Sequence, residues 1–101
     1  MRRVVITGMG AVSPLGVTVA EMVDGLEAGR HGIRPMPEWS VYKGLRSLLA
    51  APAELKNEKA IPRQSRRSMS RMSIFAAQAA QEALLDAGCE PGTLGGGRVG
   101  C

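Results

Sequence analysis

A chain of 101 residues holds one small domain or part of a larger one, and 45% hydrophobic residues exclude a disordered composition. Aromatics at only 3% leave alanine, valine, leucine and methionine to fill a core, which suits helices packed closely inside a larger body better than a free-standing domain. The formal charge of +4 is a modest excess, two cysteines exclude a disulfide framework, and no apolar run approaches the roughly 20 residues of a membrane span.

Met1-Arg2-Arg3 leads into Val4-Val5-Ile6, a β-branched run that predicts a fully buried strand. The run breaks at Gly8 and Gly10 and then at Pro14, so it lacks the apolar core of a signal peptide. A soluble, cytoplasmic protein is the expectation. Gly8, Gly10, Pro14 and Gly16 make a long tight turn. The Gly8-Met9-Gly10 pair invites a nicotinamide- or flavin-binding reading. The sixth position of that fingerprint is Ser13, followed by Pro14, and the next helix begins only at Thr18, so a structural turn is the favoured reading.

Thr18 and Glu21 have capping-box spacing, with Val17 and Met22 placed as a hydrophobic staple. Val19, Met22, Val23 and Leu26 then form an apolar stripe, and Gly29 stops the helix. Strand, turn and helix open an α/β unit. From Gly32 to Pro62 the pattern weakens, and Leu45 to Ala51 fits either a short strand or a helical turn. A long helix is predicted from about Ser68 to Ala87. Met69, Met72, Ala76, Ala80, Ala83 and Ala87 share one face, and Arg71, Gln78, Glu82 and Asp86 share the opposite, narrow one. Its alanine content predicts a largely buried helix closed by Gly88. A glycine-rich loop follows, and Arg98-Val99-Gly100-Cys101 has the pattern of a second strand's first residues.

Few residues here offer chemistry. His31 is the single histidine and has no metal-ligand company. Cys89 and Cys101 sit at no helix start that would stabilise a thiolate. The arginines Arg63, Arg66, Arg67 and Arg71 crowd one stretch interleaved with serines, not with the aromatics that single-stranded nucleic-acid binders add. A solvated face is the default reading of such a run. The functional one is docking of an acidic partner, protein or phosphate.

The run Arg3 to Gly16, with its Gly8-Met9-Gly10-Ala11-Val12-Ser13-Pro14-Leu15-Gly16 turn, resembles the opening of the β-ketoacyl-acyl carrier protein synthases of types I and II. Gly29-Arg30-His31-Gly32-Ile33, the Arg67–Gly88 helix region and Arg98-Val99-Gly100 resemble further family segments in the family's order. Met36 to Ala60 matches least, apart from Gly44-Leu45-Arg46-Ser47, which is similar to type I members. The resemblance implies an α/β chain that forms the N-terminal portion of a thiolase-like fold. Its elements would be a buried strand, a helix, an irregular segment, a long alanine-rich helix and the start of a second strand. Residues 1–101 would be an incomplete part of the synthase domain.

For the whole protein the resemblance implies a cytoplasmic homodimer catalysing decarboxylative Claisen condensation in fatty acid or polyketide synthesis. A cysteine takes the acyl chain, two histidines assist decarboxylation of malonyl-acyl carrier protein, and a lysine supports the site. No metal or nucleotide cofactor is required, and neither nucleic acid nor membrane is a partner. Neither cysteine nor His31 falls on those catalytic positions, so the stretch alone is expected to be inactive and to fold poorly. Basic residues before the long helix help related synthases dock acyl carrier protein. Arg63 and Arg67 fall on those positions, Arg66 is adjacent, and Gln64 stands where a type I enzyme carries a lysine. Two rivals remain: a non-catalytic partner subunit sharing the same opening, and a small basic module binding through Arg63 to Arg71.

Overall fold

The computed structural model describes residues 1–100. Helix α1 spans Val19–Glu27 because Thr18 leaves the helix in an extended conformation and its hydroxyl accepts the Glu21 N–H at 3.1 Å. The predicted capping box closes in altered form. The Glu21 carboxylate accepts the Val17 N–H at 2.8 Å, one residue before the cap, not that of Thr18. The helix ends in a Schellman motif, with Gly29 at φ +68, Arg30 N–H on the Gly25 carbonyl and Gly29 N–H on the Leu26 carbonyl. A Cβ at Gly29 would meet no neighbour, so Gly29→Ala isolates backbone strain. The expected loss is about 1 kcal/mol, read as a lower urea midpoint with unchanged slope.

The chain then crosses a minimal antiparallel ladder, β1 (Arg34–Pro35) on β2 (Leu49–Ala50), with Arg34 opposite Ala50 and Pro35 opposite Leu49. Of the two forms the sequence allows for Leu45 to Ala51, the strand is therefore adopted at Leu49–Ala50. A 3₁₀ turn at Pro37–Val41 fills the connection, and another at Glu58–Ala60 leads to α2, a single helical turn at Arg63–Arg66. Helix α3 covers Arg71–Asp86. It starts three residues later than the pattern predicted, because the Ser70 hydroxyl accepts the Ser73 N–H and caps a new helix there. A second Schellman motif closes it, with Gly88 at φ +69 and the Cys89 N–H on the Leu84 carbonyl.

Packing is built on close backbone approach. Residues 8 to 11 run along α3 opposite to its direction. A Cβ on Gly8 would overlap the Ala83 carbonyl oxygen and come within 2.8 Å of the Ala87 Cβ, and one on Gly10 would overlap the Ala79 carbonyl. Two residues of extended chain advance slightly farther than one helical i to i+4 step, so alternate glycines meet successive alanines. Ser13-Pro14-Leu15-Gly16 then turns tightly, with Ser13 and Gly16 exchanging backbone hydrogen bonds at 2.8 and 3.1 Å. Leu15 seats on α1 at Gly25, the buried residue of that helix.

Among the described residues the buried hydrophobic side chains are Met36, Ile61 and Ile74. The radius of gyration is 17.4 Å, against about 13 Å for a compact chain of this size. Three sequence expectations fail accordingly. Val4-Val5-Ile6 is not a buried strand: its members are 95, 72 and 83% exposed. Arg98 to Gly100 joins no ladder either, and Cys101 lies outside the described residues. A buried strand requires neighbours for its N–H and carbonyl groups, and no described segment lies beside either run. The long helix is likewise not largely buried, since Met72, Ala76 and Ala80 of its alanine face are exposed.

Candidate functional site

Helix α2 carries the basic cluster. Ile61, 7% exposed, anchors its start, and Pro62 occupies the cap position. The Arg67 N–H bonds the Arg63 carbonyl at 3.1 Å, which places Arg63 and Arg67 one helical turn apart on one face. Both are exposed, as is Gln64, whereas Arg66 is half-buried. The Met69 N–H on the Arg66 carbonyl and the Ser68 hydroxyl on the Ser65 carbonyl fold the chain from α2 into the Ser70 cap of α3. Over residues 56–71 the sequence supplies Lys56, Lys59 and the arginines against Glu58 alone, so this region has a strongly positive field.

Arg71 does not join that face as the sequence grouped it. Its Nη2 donates to the Ala53 carbonyl at 2.8 Å, and its guanidinium lies 5.4 Å from the centre of the Phe75 ring. The polar stripe of α3 is a clamp, and sequence reasoning missed this. Asp86 accepts the Met9 N–H at 3.0 Å, and Gln78 donates to the Lys56 carbonyl. Glu82 accepts the Ala11 N–H with one oxygen and the Val19 N–H with the other, both at 2.9 Å. Val19 opens α1, so the carboxylate also sits at the positive end of that helix. The i, i+4 spacing of Gln78, Glu82 and Asp86 was the available sign.

A cavity of about 700 Å³ lies between the start of α1, the 56–60 segment and this stripe, and Gln78 Oε1 is a buried acceptor without a partner there. It does not touch Arg63, Arg66 or Arg67. His31 and Cys89 are exposed and apart from it. Among the described residues no three His, Cys, Asp or Glu side chains gather to hold a metal ion, and no helix is long and apolar enough to cross a membrane. The glycines of the Gly8-Met9-Gly10 run face the backbone of α3, not a helix start, which accounts for them without a bound nucleotide.

The β-ketoacyl synthase N-terminal domain family matches residues 1–101. The chain is 35% identical over 100 residues to 3-oxoacyl-acyl-carrier-protein synthase 1 of Haemophilus influenzae, covering 99% of this chain and 24% of that protein. It is 37% identical to the synthase 1 of Escherichia coli K12 over 91 residues, covering 90% and 22%. The crystal structure of a β-ketoacyl synthase from Burkholderia phymatum superposes with a TM-score of 0.77 at 46% identity, over 87% of this chain and 22% of that one. The chain thus spans about a quarter of the length of the curated relatives it matches. Taken with the glycine run on α3 and the two capped helices, these matches show that the chain belongs to the β-ketoacyl synthase family and carries the N-terminal portion of its thiolase-like fold.

Proposed function

We propose that residues 1–101 are the N-terminal part of a β-ketoacyl-acyl carrier protein synthase domain of fatty acid or polyketide synthesis. The enzyme acts as a cytoplasmic homodimer, and α2 is one of its docking surfaces for acyl carrier protein. The family match along the whole chain is the observation that carries this reading. In the longer polypeptide a cysteine thiolate attacks the acyl thioester carbonyl, and the carrier thiol leaves. Malonyl-carrier loses carbon dioxide. The resulting enolate attacks the acyl-enzyme carbonyl and expels the cysteine thiolate, giving 3-oxoacyl-carrier. Two histidines supply hydrogen bonds to the developing enolate. Neither Cys89 nor Cys101 nor His31 falls on these positions of the family, so residues 1–101 alone are expected to be inactive.

This chain's own contribution is recognition. Arg63 and Arg67 share an exposed face, and Arg66 stands beside them. Such charges steer an acidic protein and fix its orientation more than they add contact energy. Charge reversal of Arg63 and Arg67 together, to glutamate, is expected to raise KM for the carrier-bound substrate by roughly tenfold or more, because like charges then face the carrier. KM for a small-molecule thioester should not move. An unchanged KM for the carrier-bound substrate contradicts docking at α2.

A further inference from the structure

Helix α2 is one turn long, and a helix of that length does not hold itself in water. Its position must come from its two ends. The C-terminal end is fixed by the turn into α3, through Arg66, Ser65 and the Ser70 cap. The N-terminal end follows from segment 53–56, which has no place in the sheet. Two α3 side chains hold that segment: Arg71 by the Ala53 carbonyl and Gln78 by the Lys56 carbonyl. Between the clamp and α2 the path is determined. Asn57 adopts φ +52, the Ala60 N–H closes on the Asn57 carbonyl at 2.8 Å, and Ile61 is buried.

We infer that Arg71 and Gln78 are positioning residues for the carrier-docking face, acting through the 53–62 segment to set where Arg63 and Arg67 are presented. The inference rests on the docking reading above. Arg71 belongs to the same sequence cluster as the docking arginines, yet its guanidinium is turned to the backbone and to Phe75. Gln78 carries no charge, its Nε2 is engaged by the Lys56 carbonyl and its Oε1 is buried, so any effect it has on an acidic partner is indirect. That makes the glutamine the discriminating residue.

The test uses Arg71→Met and Gln78→Met separately in the full polypeptide that carries this chain, with KM and kcat measured for carrier-bound substrate and for a small-molecule thioester. Each variant is expected to raise KM for the carrier-bound substrate by about three- to tenfold, the scale of one lost hydrogen bond. Values of kcat, and KM for the small thioester, should stay within about twofold of the parent. Exchange of the Arg66 and Arg67 amides, which bond the Pro62 and Arg63 carbonyls, should quicken in both variants, a readout independent of turnover. A rise with Arg71→Met but not with Gln78→Met overturns the clamp and makes Arg71 a direct charge contact. No change with either, while Arg63 and Arg67 reversal raises KM, overturns the clamp and leaves docking standing. Failure of that reversal removes the docking reading and the clamp's role with it. Unchanged exchange at Arg66 and Arg67 in folded variants also overturns it.

Discussion

Gly10→Val in the polypeptide that carries this chain is expected to cost about 3 kcal/mol of stability or more, because overpacking against backbone cannot be relieved by a rotamer change. A Cβ at Gly10 would overlap the Ala79 carbonyl oxygen and lie 2.9 Å from the Ala83 nitrogen. Either residues 8 to 11 lift from α3 or the helix distorts. Lifting also breaks the hydrogen bonds from Met9 and Ala11 to Asp86 and Glu82. Gly10→Ala should show a smaller loss of the same origin. Urea unfolding monitored by circular dichroism reads both. A midpoint equal to the parent's for Gly10→Val contradicts the close approach.

Replacement of Glu82 by leucine is the second large effect. Its carboxylate is the acceptor for two N–H groups that no backbone carbonyl serves, at Ala11 in the turn and Val19 at the start of α1. Hydrogen bonds to a charged acceptor contribute about 1.5–3 kcal/mol each, so Glu82→Leu, which removes two, should cost roughly 3–6 kcal/mol. Glu82→Gln retains one good acceptor and should lose about half as much. The site-specific check is amide exchange. Protection at Ala11 and Val19 should fall together in Glu82→Leu, while amides in the middle of α3 fall only as far as global stability falls. Loss at one of the two amides alone would show that the carboxylate does not bridge them.

The parts of this fold written locally in the sequence were legible there. Thr18 ends up as a cap, and Gly29 and Gly88 take the left-handed positions that stop their helices, because each depends on neighbours within a turn, whereas the Ser70 cap lay inside the predicted long helix. The family resemblance was equally legible, since the Gly8 to Gly16 run has few alternative readings. What could not be read was tertiary. The polar stripe of α3 has the same appearance whether it faces water or grips backbone. Only the arrival of residues 9, 11, 19 and 56 beside Asp86, Glu82 and Gln78 decides between the two. Val4-Val5-Ile6 failed for the converse reason: a β-branched run specifies an extended, apolar segment, while a strand exists only where another strand meets it.

The arginine cluster shows the same division within one motif. Spacing alone placed Arg63, Arg66, Arg67 and Arg71 together, and helix geometry keeps Arg63 and Arg67 on one face. Arg71 leaves the group because α3 begins with it, after the Ser70 cap, and because the Ala53 carbonyl is within its reach. A contact eighteen positions apart in the chain has no signature in a run of basic residues.

We propose that this chain is part of a working condensing enzyme. The most direct measurement takes the native polypeptide that carries it, purified at its natural length. It is supplied with acyl- and malonyl-acyl carrier protein, and the carrier-bound products are weighed by mass spectrometry. The prediction is a 3-oxoacyl-carrier product with release of carbon dioxide, lost when the cysteine nucleophile is replaced. A native polypeptide that forms no such product, with both substrates intact, would contradict the claim and favour the non-catalytic partner subunit.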